Sequence, residues 1–306
     1  MYHNQKSWKE LQKLMPLKNR IDHSTEPEES YRTISGMDVH LDVYHRKSDI
    51  TIVILHGVGG NGRLLSFFAV PLARDGYHVI CPDLPGYGYS KFSKKVTYED
   101  WIDVGDEIVK TEMARGKKVF LIGLSAGGML AYNIACRNQS ISGLIYTNIL
   151  DNREEAVRVH SAKNRIQGKY GTKLLNLMPE FLRSIKVPIR MVTNMDALVN
   201  DTEILRVLLK DQVGAGSSVS IGFLLSMINS VPILEPEVFS KVPVLMVHPG
   251  NDRWTPVEIS EIFYDRIASE KQKKILDRAG HFPVEEPGLS QMENAIDRFI
   301  QEHLST

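Results

Sequence analysis

Cysteine, excess charge of one sign and long apolar runs are all scarce in this chain of 306 residues. Its two cysteines, Cys81 and Cys136, are too few for a disulfide framework or a cysteine-rich zinc site, and they favour a reduced interior. Lysine plus arginine and aspartate plus glutamate both total 37, so no net charge attracts nucleic acid to the whole protein. We therefore expect no nucleic-acid partner.

The N-terminus lacks the apolar core of a secretory signal, because lysines interrupt its first turns. No apolar run approaches the roughly 18 residues of a membrane span, so we expect a cytoplasmic protein. Residues 5–15 nevertheless place apolar side chains at helical spacing, with lysines on the other side. This pattern predicts a helix packed on the domain, and the alternative is a basic amphipathic anchor at a membrane surface.

Short apolar runs alternate with helical patterns over residues 31–150 and again over 237–306. The predicted strands are 39–45, 51–55, 77–81, 118–122, 142–146, 242–248 and 274–276. Such alternation predicts an α/β fold whose mostly parallel central sheet carries helices on both faces. Residues 151–236 break the rhythm with helical segments and one short strand at 188–193, so we expect a mainly helical cap inserted there. Residues 1–30 are expected to form an N-terminal helix and linker, in which 22–30 are a loop.

The most informative motif is Gly-Leu-Ser-Ala-Gly at residues 123–127, between an apolar strand and a helical pattern. Gly-x-Ser-x-Gly in a strand–turn–helix context is typical of a nucleophile elbow, where a strained turn exposes the serine hydroxyl. The small residues on either side let neighbouring chains approach closely. We therefore predict that Ser125 is a nucleophile.

A serine hydroxyl needs a base, and the best candidate is His281, which follows the last predicted strand. Asp252 follows the strand 242–248 and is our candidate for the acid that orients the imidazole. Two other aspartates also follow strands: Asp151 remains an alternative acid, whereas Asp83 is more simply explained as structural.

The order Ser125, Asp252, His281 is the chain order of the α/β-hydrolase triad. With these three motifs, residues 31–150 and 237–305 resemble an α/β-hydrolase. The HGxGG stretch at 56–60, the DLPGYG loop at 83–88 and the GLSAGG motif resemble more closely the lysophospholipase and monoacylglycerol lipase-like branch, which includes the serine aminopeptidase S33-like enzymes.

The resemblance implies roles for further residues. The backbone N–H groups of Val58 and Ala126 would form the oxyanion hole. Side chains or backbone near the substrate would come from a set of five residues, namely His56, Gly57, Leu124, Phe223 and Met227. The resemblance implies no metal and no organic cofactor, so none is expected.

The apolar stretches 174–182 and 218–233 predict a cap with a buried helix and a hydrophobic roof above the serine. The function predicted from these features is hydrolysis of carboxylic esters, most simply lipophilic monoacyl esters, through an acyl-enzyme on Ser125. Amide, lactone or carbon–carbon bond hydrolysis with the same triad is the alternative, and a non-catalytic ligand-binding protein is a remote one. The expected partner is a small ester, with membrane contact only at the surface.

Overall fold

A central β-sheet organises the molecule in the computed structural model, which describes residues 1–92 and 95–304. Its strands are β1 (Glu28–Ile34), β2 (Met37–Tyr44), β3 (Ile50–Leu55), β4 (His78–Pro82), β5 (Lys118–Gly123), β6 (Gly143–Tyr146), β9 (Val244–Pro249) and β10 (Lys271–Leu276). They lie in the order β1-β2-β4-β3-β5-β6-β9-β10. Strand β2 runs antiparallel to β1 and β4, and from β4 to β10 every neighbouring pair is parallel. The predicted α/β fold with a mostly parallel sheet is confirmed.

Helices cover both faces of this sheet. The helices of the described residues are α1 (Lys6–Leu14), α2 (Ser66–Arg74), α3 (Tyr98–Ala114), α4 (Ala126–Arg137), α5 (Glu155–Ser161), α6 (Thr172–Asn176), α7 (Ile189–Val192), α8 (Thr202–Leu208), α9 (Ile221–Ile228), α10 (Val257–Tyr264) and α11 (Gly288–Glu302). Helices α3 and α4 pack together on strands β3 and β5, whereas α2 and α11 pack together on the other face. Two covered faces explain why the central strands are apolar without alternation.

The parallel strands end at one edge of the sheet. In the strand register Leu55 pairs with Gly123, Gly123 with Tyr146, and Tyr146 with Met246. The loops that follow β3, β5, β6 and β9 therefore leave the sheet side by side. This edge is where ligands bind in open α/β sheets.

A mostly helical insertion connects β6 to β9 and contains α5 to α9. It also contains a two-stranded antiparallel sheet of β7 (Lys186–Pro188) and β8 (Ser218–Ser220). The strand predicted at 188–193 was therefore wrong, because β7 ends at Pro188 and helix α7 begins at the next residue. A proline at this boundary suits a helix start, since its fixed φ is already helical and it lacks an N–H to satisfy.

The apolar segments of the insertion differ in burial. Helix α9 is buried through Ile221, Phe223, Leu224 and Leu225, as its composition predicted. The stretch 174–182 was expected to belong to a roof over the serine, yet Leu177 and Phe181 are exposed to solvent. The expectation was wrong for Leu177 and Phe181, which lie in the outer layer of the insertion, whereas Leu174 and Leu175 line a cavity.

The N-terminal region is part of the globular structure. Trp8, Leu11 and Met15 are buried in the main hydrophobic core, and α1 contacts α8. The apolar side of α1 is therefore unavailable to a membrane, and the anchor alternative is wrong. The loop predicted at 22–30 is wrong at its end, because β1 begins at Glu28. This edge strand has half-exposed polar residues and therefore no apolar run that would predict it. Among the described residues, no helix combines the length and apolar character that spanning a bilayer requires.

Candidate active site

Ser125 lies on the sharp turn between β5 and α4. Its φ of 58° and ψ of −126° place it in a region that non-glycine residues rarely adopt, at a cost of about 1–3 kcal/mol. Glycines make this turn possible: a Cβ on Gly123 would lie 2.1 Å from the Gly127 carbonyl oxygen, and one on Gly127 would lie 2.3 Å from that of Leu55. The Gly-x-Ser-x-Gly pattern is therefore a steric requirement of this turn.

The loops after β5, β9 and β10 bring three predicted residues into one chain of hydrogen bonds. His281 Nε2 lies 2.7 Å from Ser125 Oγ, and His281 Nδ1 lies 2.8 Å from Asp252 Oδ2. Both Asp252 and His281 are buried, whereas Ser125 is partly exposed to a cavity. With the proton on Nδ1, the imidazole accepts the Ser125 hydroxyl proton on Nε2, which is the arrangement that activates a serine for attack.

Asp252 is held by the loop that carries it. Its Oδ1 accepts backbone N–H bonds from Trp254 and Thr255 at 2.8 and 2.9 Å, and its Oδ2 accepts the Thr255 hydroxyl at 2.8 Å. Burial alone raises the pKa of Asp252, but the nearby His281 and these donors outweigh it and hold the pKa below its usual range. The carboxylate is thus a fixed negative charge beside the imidazole.

Residues at the end of β6 support the acid, although no motif in the sequence predicted them. The Asn148 side-chain N–H₂ donates to Asp252 Oδ2 at 3.2 Å and to Thr255 Oγ1 at 2.9 Å. Its side-chain oxygen accepts the Thr147 hydroxyl, which in turn accepts the Ser125 backbone N–H. Only the position after a strand singled out these residues, and the same signal pointed to Asp151.

The two other aspartates at strand ends are engaged elsewhere. Asp151 binds the Arg153 guanidinium through both carboxylate oxygens, at 2.7 to 3.0 Å. Asp83 accepts hydrogen bonds from the Tyr2 hydroxyl and the Gly62 backbone N–H. Of the aspartates considered from the sequence, Asp252 is the one that the structure places against His281.

The loop after β3 approaches the nucleophile turn. A Cβ on Gly57 would lie 3.1 Å from the Ala126 backbone nitrogen, so Gly57 permits this close approach. Val58 and Ala126, the predicted oxyanion-hole residues, both line the cavity that contains Ser125 and His281. They thus share a cavity with the nucleophile, and the oxyanion-hole role of their N–H groups stays a prediction.

Four of the five residues predicted to bind substrate do not line that cavity. The His56 side chain is fully buried, with Nδ1 bonded to the Gly57 carbonyl oxygen and Nε2 accepting the Leu84 N–H. Gly57 and Leu124 are also buried beneath the turn, and Phe223 packs on Trp101 with ring centroids 4.6 Å apart. His56 and Leu124 are thus packing contacts, whereas Gly57 lies against the nucleophile turn and Phe223 also lines a separate cavity of about 440 Å³. Met227 does line the cavity that contains Ser125.

Two adjacent cavities lie beside Ser125 and its cap residues. The smaller, of about 80 Å³, contains Ser125 and His281 and is called the nucleophile pocket. The larger, of about 280 Å³, is called the apolar chamber, and its lining includes Leu175, Val192, Leu224 and Ile228. The two share four lining residues: Asn152, Ser161, Thr193 and Met227. A substrate that reaches Ser125 therefore has an apolar space of larger volume beside it.

One group of side chains within the described residues has the composition of a metal site, and it lies away from the nucleophile pocket. Ligand atoms of Glu29, His40 and Asp42 lie within 4.8 Å of one another. The Arg63 guanidinium bonds to both carboxylates, with contacts to Asp42 at 3.0 Å and to Glu29 at 3.2 Å. The Arg63 cation thus already pairs with both carboxylates that a metal ion would need.

Comparison with known proteins agrees with this architecture. A thermostable monoacylglycerol lipase of Bacillus sp. (strain H-257) is 27% identical over 121 residues, which are 39% of this chain and 47% of the lipase. Phospholipase YtpA of Bacillus subtilis (strain 168) is 24% identical over 72% of this chain and 83% of its own length. The chain thus spans about half of the first of these relatives.

A solved structure shares the fold over nearly the whole chain. The soluble variant of monoglyceride lipase from Saccharomyces cerevisiae, in complex with a substrate analog, has a TM-score of 0.72 at 19% identity. The match covers 92% of this chain and 97% of the yeast protein. Residues 46–288 match the family described as serine aminopeptidase, S33. From the sheet, the elbow and this match over most of its length, the chain belongs to the serine aminopeptidase S33 family of α/β-hydrolases.

Proposed function

We propose that this protein hydrolyses carboxylic esters through an acyl-enzyme on Ser125. The observation that carries the proposal is the chain of hydrogen bonds from Ser125 Oγ through His281 to Asp252, at 2.7 and 2.8 Å. The lipase and phospholipase among its relatives support an ester as the substrate.

In the proposed mechanism, Ser125 Oγ attacks the ester carbonyl carbon while His281 Nε2 takes the hydroxyl proton. The N–H groups of Val58 and Ala126 then bind the oxyanion of the tetrahedral intermediate. His281 returns the proton to the leaving alcohol, and the C–O bond to that alcohol breaks. Water, deprotonated by His281, releases the acid in the second half. Asp252 stabilises the imidazolium in both halves.

The insertion between β6 and β9 acts as the cap in this proposal, and it extends over residues 151–236. Residues 31–150 and 237–306 form the catalytic core. Residues 93–94 and 305–306 of that core lie outside the described part of the chain. Residues from α5, α6, α7 and α9 line the apolar chamber, and the core supplies the nucleophile. The chamber would hold the lipophilic acyl or alkyl part of a monoacyl ester, because apolar surface is favourable to bury there.

Aminopeptidase activity, which the family description names, is the second candidate. A free amino group of a peptide needs a carboxylate in the site. Among the described residues that line the nucleophile pocket and the apolar chamber there is no Asp or Glu, and Arg158 carries a positive charge. This charge pattern favours an ester over a peptide amine.

The test is kcat/KM on p-nitrophenyl esters from acetate to palmitate, with Ser125→Ala and the remote Ser290→Ala as the pair of variants. We expect rates that peak at medium or long chains, a loss of roughly 10⁴-fold or more in Ser125→Ala, and no change in Ser290→Ala. A fluorophosphonate probe should label Ser125. Wild-type rates in Ser125→Ala would refute the nucleophile, and a peak at acetate would refute the lipophilic substrate.

A further inference from the structure

The outer layer of the insertion contains an exposed amphipathic helix. Residues 165–176 form one helical run, in which a π-helical turn over Gln167–Gly171 continues into α6. We call this run the outer helix. Turns of 3.6 residues and the wider π turn bring every fourth residue back to nearly the same side.

Large apolar side chains occupy every fourth position of the outer helix and face solvent. Ile166, Tyr170 and Leu174 are 74%, 55% and 70% exposed, and Leu177, just after the helix, is 82% exposed. Isolated exposed apolar residues are ordinary, but a row of them along one helix leaves an apolar face with no protein contact. No described part of the chain covers this face.

Cations form a second row beside the apolar one. Arg165, Lys169 and Lys173 each precede one of those apolar residues, and all three are exposed. The ammonium of Lys169 lies 5.7 Å from the ring centroid of Tyr170. An apolar row bordered by Lys and Arg is the pattern of a helix that lies in the headgroup region of a membrane.

The surrounding segment has the same character. Residues 163–191 contain seven lysines and arginines against one glutamate, although the whole chain has a net charge of zero. The same segment exposes three more large apolar side chains, those of Phe181, Ile185 and Met191. Clustered positive charge beside exposed apolar groups is typical of a segment that binds an anionic membrane, whose surface is negative and whose interior is apolar.

The outer helix also borders the apolar chamber. Gly168, Gly171 and Leu175 line the chamber on one side of the helix, and Leu174 belongs both to that lining and to the exposed row. The chamber in turn shares Met227 and three other residues with the nucleophile pocket. The exposed apolar row therefore lies next to the chamber, and the chamber lies next to the nucleophile pocket.

We propose that the outer helix docks on the surface of an anionic lipid bilayer. The apolar row would insert between headgroups, and Arg165, Lys169 and Lys173 would bind the lipid phosphates. A second copy of the chain is a poorer occupant, because a two-fold contact would place the same cations against each other. Helix α1 is excluded as the docking helix, since its apolar side is buried. Docking does not require catalysis, so it is separable from the proposed function.

The test is sedimentation with vesicles of phosphatidylcholine alone or mixed with phosphatidylglycerol, using full-length Ser125→Ala protein so that hydrolysis plays no part. We expect binding to the anionic vesicles that weakens with added salt. Replacing Arg165, Lys169 and Lys173 by Gln should lower the partition coefficient roughly 100-fold, at about fivefold for each cation near the surface. The matched control replaces three exposed lysines of the N-terminal region by Gln (Lys6, Lys9 and Lys13) and should bind like the parent.

A second variant, Ile166→Ser with Tyr170→Ser and Leu177→Ser, separates charge from insertion and should also lose vesicle binding. We call the triple Gln variant and this triple Ser variant the cap variants. When they are made in the protein that keeps Ser125, they should hydrolyse a short, water-soluble ester at the wild-type rate, which would show that they fold. Binding that disappears in the α1 control but persists in the cap variants would overturn the proposal. So would an absence of vesicle binding together with a concentration-dependent dimer that the cap substitutions dissociate, because a second copy would then cover the face.

Discussion

The Asn148 amide donates a hydrogen bond to the Asp252 carboxylate at 3.2 Å and thereby joins the end of β6 to the loop after β9. The same amide bonds to Thr255 and lies 3.0 Å from His248 Nε2. A neutral donor at this position satisfies the buried carboxylate without adding a competing charge. Asn148 is therefore a positioning residue for the acid.

Replacing Asn148 by Ala should lower kcat by about tenfold to 100-fold with little change in KM, because outer partners of a catalytic group typically have effects of this size. Asn229→Ala is the matched control, since that asparagine bonds to Asn176 on the exposed side of the insertion. Steady-state kinetics on the best p-nitrophenyl ester checks the pair. Equal kcat in wild type and Asn148→Ala would contradict the positioning role.

The choice of acid is tested by Asp252→Asn against Asp151→Asn. Asparagine in place of Asp252 removes the charge that stabilises the imidazolium and favours the wrong tautomer, so kcat should fall about 10⁴-fold. Asp151→Asn weakens an ion pair with Arg153 and should leave kcat within about tenfold, since no contact with the imidazole is lost. The reverse order of effects would make Asp151 the acid.

Chain-length preference should respond to the volume of the apolar chamber. Val192 lines the chamber, so Val192→Phe should lower kcat/KM for long acyl esters by about tenfold to 200-fold and leave the acetate ester nearly unchanged. Val231→Phe is the control, because Val231 is exposed and lies outside the described lining of both cavities. An equal loss on short and long esters in Val192→Phe would show that the chamber does not hold the acyl chain.

Stability should depend on pH through His56. Burial lowers the pKa of His56 to about 4, with only partial compensation from the Gly57 carbonyl, whereas an unfolded histidine has a pKa of about 6.5. Between these values the unfolded chain binds more protons, so the free energy of unfolding falls as the pH drops. The uncharged His56 contributes about 3 kcal/mol to the free energy of unfolding. This contribution is fully present above about pH 6.5 and is lost as the pH falls towards about 4.

Urea unfolding at about pH 7 and about pH 5 measures this effect. His56→Asn should be less stable than wild type at the higher pH, because the buried contacts to Gly57 and Leu84 change. It should lose about 2 kcal/mol less than wild type between the two conditions. The exposed His45→Asn variant should behave like wild type. An unchanged pH dependence in His56→Asn would show that another group is responsible.

Apolar runs and turn glycines, which are patterns of neighbouring residues, predicted the central strands and the nucleophile turn. The apolar runs of β3, β5, β6 and β9 are buried on both faces, and the glycines at 123 and 127 are required by contacts below 2.5 Å at one turn. Strand β1 escaped prediction because an exposed edge strand has no continuous apolar run. The division of the chain into core and cap at 151 and 236 remains a proposal.

The sequence by itself determined the α/β fold and proposed Ser125, Asp252 and His281 in the order that the family shares. Tertiary structure decided which aspartate faces the imidazole, because Asp151 and Asp252 both follow strands and only three-dimensional placement separates them. It also decided that His56 is buried against Gly57 and Leu84, and that Ile166, Tyr170, Leu177 and Phe181 are exposed to solvent. The sequence shows which side chains are apolar and therefore favour burial. Only the packing of the folded chain decides whether other parts of the same chain bury them.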